Sequence, residues 1–252
     1  MKDNKIKLIS IITVVYNGEK YLEQTIQSVI NQTYKNIEYI IIDGGSTDRT
    51  LEIVKKYEEH ITYWASESDK GLYDAMNKGI GIAKGELIGM INSDDWYELN
   101  TVEIMVEAYN NYPTKSIFHA DRYDIAEDGS RTIKKFHPSE FKFKYYGMTY
   151  NHPSMFITKE EYKIHKYNIE LRSLSDNQFV LEAFVRNSDT LFYIEKALVN
   201  YRLDGISAGL PLNEKLKEGF IARKNAGLSL IENLFSVFFR LFIFILYKPK
   251  KK

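Results

Sequence analysis

The chain has 252 residues, and because Lys+Arg and Asp+Glu both total 34, its formal net charge is zero. Proteins that bind nucleic acids usually carry a basic excess, so we expect no nucleic-acid partner. The absence of cysteine excludes disulfides, zinc–thiolate sites and cysteine nucleophiles. The first apolar run, residues 8–15, is too short for a signal peptide, and we therefore expect a cytoplasmic protein.

The first 97 residues alternate between β-branched apolar runs and segments with helical spacing. The predicted strands are residues 7–15, 37–42, 62–65 and 87–92, and the predicted helices are residues 21–31, 50–58 and 73–83. This alternation predicts an α/β fold with parallel strands and crossover helices. Open α/β sheets bind ligands at the carboxyl ends of their strands. The polar loops at residues 16–17, 43–48 and 92–95 should therefore meet at one crevice.

The pattern changes after Trp96 and predicts a mixture of elements. A helix is expected over residues 101–109, a hairpin over 116–136, a strand over 152–158, a helix over 177–186 and a strand near 191–194. This half should add mixed strands and a second wall of the crevice.

Asp94 and Asp95 follow the last strand of the first half. Two adjacent carboxylates at the end of an apolar strand are costly unless they are solvated, paired or bound to a metal. A hard cation such as Mg²⁺ or Mn²⁺ prefers oxygen ligands and would bridge the protein to a diphosphate. The alternative is a solvated turn in which Asp95 caps a helix.

Asp43 and Tyr16 end the two neighbouring strands. Asp43 either forms a turn with the following glycines or accepts a hydrogen bond from a base N–H or a ribose hydroxyl. Tyr16 either packs at the strand end or stacks on a nucleobase.

Residues 8–97 resemble the family 2 glycosyltransferases, which have the GT-A fold. Five stretches carry the resemblance, in the same order as in the family: residues 10–17 (SIITVVYN), 28–34 (SVINQTY), 41–48 (IIDGGSTD), 69–79 (DKGLYDAMNKG) and 92–95 (NSDD). The resemblance implies a Rossmann-like, mostly parallel central sheet with helices on both faces, followed by an acceptor-side extension. It also implies an inverting enzyme that depends on Mn²⁺ or Mg²⁺.

The resemblance further assigns roles to individual residues. Val14 and Tyr16 would line the base pocket, and Asp43 would hold the base or the ribose. Asp94 would contact the ribose or the diphosphate, and Asp95, which matches the last acid of the Asp-x-Asp motif, would bind the metal.

The segment 69–78 would flank the diphosphate and sugar of the donor. Many members have an arginine where Met76 stands here, which puts an arginine contact to the diphosphate in doubt. Lys70 either substitutes for that arginine or is a solvated loop charge.

Inverting transfer is a single displacement that needs one base, because a hydroxyl is a weak nucleophile. In the family, this base is an acid at the head of a helix well after the metal motif. Asp176 in LSDNQF matches it, with Ser175 in place of the usual Glu. Alternatively, Ser175 or Asp176 caps the helix.

His152 is a candidate on the acceptor side. The sequence NHPS around it resembles a segment near the acceptor site of bacterial surface-polysaccharide members. The alternative is a structural role for this histidine.

Residues 228–247 form an apolar, aromatic segment, and a lysine-rich sequence follows it (248–252). Five polar side chains would form one narrow stripe on a helix: Ser229, Glu232, Asn233, Ser236 and Arg240. An amphipathic helix followed by basic residues favours binding to an anionic membrane surface. The alternative is packing on the catalytic domain or on a partner subunit.

The sequence therefore predicts three parts of the chain. These are a nucleotide-sugar-binding half (1–97), an acceptor-binding half (98–220) and a membrane-associated tail (221–252).

The combined prediction is transfer of a hexose or N-acetylhexosamine from a UDP-sugar to a saccharide acceptor. A membrane tail suggests an acceptor on a polyprenyl diphosphate at the inner face of the cell membrane, in assembly of a bacterial polysaccharide such as O-antigen or capsule. Two alternative functions were considered. A sugar-phosphate nucleotidyltransferase would carry a Gly-rich basic loop after the first strand. Residues 16–20 have the sequence YNGEK instead, which argues against this class of enzyme. A noncatalytic nucleotide-sugar-binding membrane protein is the other alternative, and the presence of Asp94, Asp95 and Asp176 argues against it.

Overall fold

The computed structural model describes residues 7–203 and 211–246. Within these residues, the strands form one nine-stranded sheet. The strands are β1 (Ile9–Val15), β2 (Ile37–Asp43), β3 (Tyr63–Ser66), β4 (Leu87–Asn92), β5 (Trp96–Tyr97), β6 (Ile117–Ile125), β7 (Arg131–Lys134), β8 (Phe156–Thr158) and β9 (Leu191–Arg202). The helices are α1 (Leu22–Ile30), α2 (Thr50–Lys56), α3 (Leu72–Ile82), α4 (Thr101–Asn111), α5 (Glu140–Tyr145), α6 (Lys159–Ile164), α7 (Ser175–Arg186), α8 (Leu212–Asn225) and α9 (Leu230–Leu246).

The sheet has the strand order β3-β2-β1-β4-β8-β6-β9-β5, and β7 pairs with β6 at its side. β1 lies parallel to both β2 and β4, and β2 lies parallel to β3. β8 joins the two halves of the chain because it pairs antiparallel with both β4 and β6. The predicted α/β fold with a mostly parallel central sheet is therefore confirmed.

Helices cover both faces of the sheet, as the burial of β1 shows. Its residues alternate between two apolar cores: Ile11 packs with α1, α2 and α4, whereas Ile12 packs with α3 and α7. Every residue of β1 is buried. A strand that is covered on both sides needs a continuous apolar run instead of an alternating one, which is the pattern seen in the sequence.

The second half departs from the sequence prediction in several places. Residues 152–154 form a 3₁₀ turn, and only Phe156–Thr158 form a strand. β9 continues eight residues beyond the predicted end near residue 194 because it pairs along β6 to Arg202. The prediction also lacked α8, whose buried positions include Glu218, Gly219 and Arg223 and so give no apolar stripe.

Helix α3 lies unusually close to the sheet at Gly79. A Cβ atom at this position would lie 2.6 Å from Cγ2 of Ile12 in β1. Glycine is therefore required here for close packing of helix and strand, which explains its place in the motif of residues 69–79. The same helix has a second glycine, Gly81, around which a Cβ would meet nothing within 4 Å.

Helix α9 is amphipathic, and its polar face is turned toward the protein. Asn233 and Ser236 are buried. The Ser236 hydroxyl donates to the Tyr145 carbonyl oxygen at 2.5 Å, and the Tyr145 hydroxyl donates to the Glu232 carboxylate at 3.2 Å. The opposite, apolar face is exposed, as in Ile231 (81%), Phe238 (68%) and Ile245 (70%). Across residues 7–203 and 211–246, every helix is too short or too polar to cross a bilayer.

We predict that Gly79→Ala lowers the free energy of unfolding by about 1–3 kcal/mol, because the added methyl group overpacks the contact with Ile12. Gly81→Ala is the matched control. It should raise stability by up to about 1 kcal/mol, because alanine favours a helix interior over glycine. Urea unfolding followed by circular dichroism measures both changes. Equal effects of the two substitutions would contradict the close approach of α3 to β1.

Candidate active site

The loops after β1 and β2 are tied together at the carboxyl edge of the sheet. The Gly44 N–H donates to the Val15 carbonyl oxygen at 2.9 Å, and the Asn17 N–H donates to the Ser46 hydroxyl at 2.7 Å. The Asn17 side-chain oxygen accepts from the Thr47 N–H at 2.9 Å. Asn17 has φ +50°, a left-handed conformation that Asn tolerates better than most residues. These bonds give the first two loops a single fixed shape.

Asp43 organises this wall from within. It is 1% exposed, and its carboxylate accepts from the N–H groups of Gly45 (3.1 Å) and Ser46 (2.9 Å). The Ser46 hydroxyl donates to one oxygen, and the Ser66 hydroxyl donates to the other at 2.6 Å. A carboxylate has about four acceptor sites. Oδ2 accepts three of these bonds and Oδ1 accepts only one, so Oδ1 is the oxygen with room for a ligand N–H or hydroxyl.

Tyr16 and Val14 stand differently at the end of β1. Tyr16 is 60% exposed at the crevice, so its ring is available for stacking. Val14 is 3% exposed, and its side chain packs in the core beside α3. The main chain of Val14 lies in the sheet between β2 and β4.

The segment of residues 69–79 reaches the same wall. A Cβ on Gly44 would lie 2.6 Å from the Asp69 carboxylate, so the two loops touch where the glycine leaves room. Lys70 is exposed in the turn before α3. Met76, which stands where an arginine is common in the family, is 1% exposed and belongs to the core, so it makes no polar contact with a ligand.

Asp95 is fully buried directly after β4. Its Oδ1 accepts from the Arg202 N–H at 3.0 Å, whereas its Oδ2 has no hydrogen-bond partner among the described residues. Burial, and secondarily the neighbouring Asp94 carboxylate, hold the pKa of Asp95 well above its usual range. Asp94 itself is half-buried. An unpaired buried carboxylate oxygen beside a second carboxylate suits a divalent cation, which would favour the charged form of Asp95.

Arg202 was missed by the sequence analysis. Besides the main-chain bond to Asp95, its guanidinium stacks on Tyr21 (3.9 Å) and Trp96 (4.7 Å) and donates to the Gln24 side chain at 2.6 Å. It comes to the crevice because β9 is long. The sequence prediction ended this strand eight residues too early, so no motif pointed to it.

Asp176 lies in the first turn of α7 and faces α3. The Tyr73 hydroxyl donates to Asp176 Oδ1 at 3.1 Å, across 103 residues of sequence. The same oxygen accepts from the Asn177 N–H at 2.7 Å. Ser175 does not cap the helix: its hydroxyl instead accepts from the Asn168 N–H at 2.5 Å. Asp69 and Tyr73 belong to one segment, which therefore links the nucleotide-side loops to Asp176.

His152 lies behind Asp176 in a group of aromatic side chains. Its Nε2 is 2.9 Å from the Tyr167 hydroxyl, and the Tyr167 ring stacks on Tyr73 with centroids 5.6 Å apart. Burial lowers the pKa of His152, and the Asp176 carboxylate opposes that shift. The sequence prediction thus named two residues, His152 and Asp176, that the fold brings into one neighbourhood.

Helix α8 holds the loop that leads into α7. The Glu218 carboxylate accepts from three consecutive main-chain N–H groups, those of Arg172 (3.0 Å), Ser173 (3.0 Å) and Leu174 (3.2 Å). Glu218 is 7% exposed. One side chain therefore fixes the approach of the chain to Asp176, and nothing in the sequence around Glu218 distinguishes it from a surface glutamate.

We predict that Glu218→Gln lowers the free energy of unfolding by about 1–3 kcal/mol, because its amide N–H₂ would face a buried main-chain donor. Glu214→Gln is the matched control on the same helix. Its carboxylate is partly exposed and lies 3.6 Å from Arg172, so its loss should cost less than about 1 kcal/mol. Urea unfolding measures both. A Glu218→Gln variant as stable as the control would exclude this anchoring role.

Comparison with known proteins gives the family. The sequence profile described as "Glycosyl transferase family 2" matches residues 10–164. An uncharacterized glycosyltransferase of Methanocaldococcus jannaschii is 30% identical over 207 residues, which cover 78% of this chain and 71% of that protein. Glycosyltransferase GlyA of Streptococcus pneumoniae is 27% identical over 247 residues, which cover 90% of this chain but only 35% of GlyA. The chain thus spans about a third of the length of this curated relative.

The fold has a matching solved structure. S. aureus TarS 1-349, solved in complex with UDP-GlcNAc, superposes with a TM-score of 0.73 and 18% identity, covering 95% of this chain and 73% of that one. At this identity, the match concerns the fold. Together with the sequence profile and the site at the carboxyl edge of the sheet, it identifies the chain as a member of glycosyl transferase family 2, a glycosyltransferase with the GT-A fold.

Proposed function

We propose that this glycosyltransferase moves a hexose or N-acetylhexosamine from a UDP-sugar to a saccharide acceptor, with inversion at the anomeric carbon. The observation that carries the proposal is the hydrogen bond between Tyr73 and Asp176. It joins the head of α7 to the segment that also touches the loop of Asp43 and Gly44. Residues 69–73 thus connect the proposed base to the loop that would bind the nucleotide. This suits a single displacement, because the acceptor hydroxyl and the donor sugar must be held in line.

The donor side is proposed to use the residues at the carboxyl edge. The exposed Tyr16 ring stacks on uracil above Val14, and Asp43 accepts a hydrogen bond from the base or ribose through Oδ1. Asp94 contacts the ribose or the diphosphate, and Lys70 reaches the phosphates from the turn before α3. The UDP-GlcNAc bound to TarS, which shares the fold, supports a UDP-linked donor.

Asp95 is proposed to bind Mn²⁺ or Mg²⁺ through Oδ2. No group of three or more His, Asp or Glu side chains able to hold a metal occurs in the part of the chain that the structure describes. Such a cation would therefore take one or two carboxylates from the protein and its other ligands from phosphates and water, as Mg²⁺ commonly does. When bound, it supplies positive charge that stabilises the departing diphosphate.

The chemistry of this chain then reduces to proton transfer and positioning. The Asp176 carboxylate takes the proton of the acceptor hydroxyl as that oxygen forms its bond to the anomeric carbon. The bond between the anomeric carbon and the diphosphate oxygen breaks, and UDP leaves with the electron pair. Attack opposite an α-linked leaving group gives a β-linkage. Tyr73 is a positioning residue, and His152 lines the acceptor side.

The apolar face of α9 is proposed to bind the inner surface of the cell membrane. Glu232 and Ser236 of its polar face hydrogen-bond to Tyr145 of α5, so the exposed aromatic and aliphatic side chains face outward. The lysines at positions 248 and 250–252 would favour an anionic leaflet.

The three parts of the chain would then have separate roles. Residues 1–97 would bind the donor, residues 98–220 the acceptor and residues 221–252 the membrane. A membrane-bound enzyme suits an acceptor on a polyprenyl diphosphate, as in O-antigen or capsule assembly.

We predict that Asp176→Asn lowers the turnover number by about 10²–10⁴-fold, because an amide cannot take the proton, while the affinity for UDP stays unchanged. A panel of UDP-sugars with synthetic lipid-diphosphate acceptors and Mn²⁺ or Mg²⁺ identifies the reaction, and UDP release measures turnover. Asp189→Asn, at an exposed carboxylate paired with Lys115, is the control. Turnover of Asp176→Asn at the level of the control would exclude the base.

We predict that the double substitution Phe238→Ser/Phe242→Ser weakens binding to anionic vesicles at least about a hundredfold, because each buried phenylalanine contributes about 1.5–3 kcal/mol. Both side chains are exposed, at 68% and 57%, so the fold should be unaffected. The matched control is Leu99→Ser/Ile164→Ser, which alters side chains exposed at 61% and 56% outside α9. Cosedimentation measures binding, and equal binding by both variants would exclude α9 as the membrane contact.

A further inference from the structure

Tyr167 is a buried tyrosine in the loop between α6 and α7, close to the proposed base. Its ring stacks on the Tyr73 ring with centroids 5.6 Å apart, and the Tyr73 hydroxyl donates to Asp176 Oδ1 at 3.1 Å. Among the described residues, no hydrogen bond joins Tyr167 to Asp176 directly. The contact of Tyr167 with the base therefore runs through Tyr73.

Helix α3 holds the main chain of Tyr167 through Asn77. The side-chain amide of Asn77 donates to the Tyr167 carbonyl oxygen at 2.8 Å, and its Oδ1 accepts from the Tyr167 N–H at 3.0 Å. Asn77 lies four residues after Tyr73, and residues at this spacing lie on the same face of a helix. One face of α3 therefore presents both side chains to Tyr167, which gives the asparagine in the motif of residues 69–79 a structural reason.

The side chain of Tyr167 is held by neutral groups. Its hydroxyl lies 2.9 Å from His152 Nε2 and 3.3 Å from the Tyr162 hydroxyl, and its ring packs on Phe179 with centroids 5.3 Å apart. Burial raises the pKa of Tyr167 well above its usual range and lowers the pKa of His152. These partners thus fix the ring without placing a charge beside Asp176.

Asp176 depends on Tyr73 for its orientation. Both hydrogen bonds that the structure gives its carboxylate go to Oδ1, from the Tyr73 hydroxyl and from the Asn177 N–H. This leaves Oδ2 for the acceptor hydroxyl. If the Tyr73 ring moves, the carboxylate loses one of its two donors, and Oδ2 is no longer held toward the acceptor.

We propose that Tyr167 is a positioning residue for glycosyl transfer, which holds the Tyr73 ring so that Asp176 stays aligned with the acceptor hydroxyl. This inference rests on the proposed role of Asp176 as the base. A misplacement of about 1 Å can cost about a hundredfold in rate. The role therefore concerns turnover. UDP binding should not depend on it, because the proposed nucleotide site lies at the ends of β1, β2 and β4.

The test measures UDP release by the full chain, with the panel of UDP-sugars and lipid-diphosphate acceptors. Tyr167→Leu removes the stacked ring and should lower the turnover number about 10–100-fold, while the affinity for UDP, measured by titration calorimetry, stays unchanged. Tyr167→Phe keeps the ring and should retain turnover near the wild-type value.

The matched control is Tyr39→Leu, on the opposite face of the sheet. Tyr39 is 2% exposed and Tyr167 is 3% exposed, and the two belong to different apolar cores. Both leucine variants should lower the melting temperature, but Tyr39→Leu should keep its turnover. If Tyr167→Leu does not fold, Asn77→Asp replaces it. This variant has nearly the same size but loses the donor to the Tyr167 carbonyl oxygen, and it should lower turnover about tenfold.

The double variant Tyr167→Leu/Asp176→Asn separates positioning of the base from a general structural role. It should turn over no more slowly than Asp176→Asn alone, because residues that act as one unit are not additive. Multiplied losses in the double variant would overturn the role of Tyr167. So would wild-type turnover of Tyr167→Leu, or equal losses of turnover in Tyr167→Leu and in either Tyr167→Phe or Tyr39→Leu. Wild-type turnover of Asp176→Asn would instead refute the base, and with it the proposed mechanism.

Discussion

Burial of the parallel strands on both faces decides where this chain can place polar groups. β1, β2 and β4 are apolar along almost their whole length, since helices cover both sides of the sheet. Within these strands a polar side chain needs a buried partner, as Ser10 and Glu38 have in each other, so polar side chains that could meet a ligand lie where the strands end. They appear together, at one edge, because the strands are parallel. The crevice is thus a consequence of the sheet, and its chemistry depends on which side chains follow each strand.

Hydrogen bonds between the loops at that edge fix their positions. Asn17, Asp43 and Ser46 satisfy main-chain groups across two separate loops, which leaves Tyr16 as the exposed group at the end of β1. The opposite side of the crevice is fixed from farther away. Tyr73 holds Asp176 from one direction, and Glu218 holds the loop before it from another. Preorganisation of this kind matters because misplaced reacting groups lose much of the rate.

The sequence predicted the first half well because two independent signals agreed there. Apolar runs defined the strands, and the five motif stretches defined the loops between them. The second half was less predictable for physical reasons. α8 buries Glu218 and Arg223 in place of an apolar stripe, so its pattern looks like a surface segment. β9 runs on to Arg202 only because β6 is there to pair with it.

Helix α9 was also only partly predictable from the sequence. The stripe from Ser229 to Arg240 was visible in the sequence, but its direction was not. Only tertiary contacts with α5 and α8 decide that the polar side faces inward. A helix that keeps its polar residues for the protein and leaves its phenylalanines outside has reversed the usual arrangement of a surface helix.

Asp95 at the crevice and Arg223 below α9 each have a buried side-chain atom without a hydrogen-bond partner among the described residues. Neither side chain forms an ion pair among these residues, although Arg122 favours the charged form of Asp95 from a distance. The crevice is the more central of the two, since the proposed transfer depends on it. A crystal structure with UDP and Mn²⁺ tests it most directly. We expect uracil stacked on Tyr16 and Mn²⁺ bound to Asp95 Oδ2 and the diphosphate. A nucleotide bound away from the ends of β1, β2 and β4, or a metal that leaves Asp95 unbound, would contradict this site.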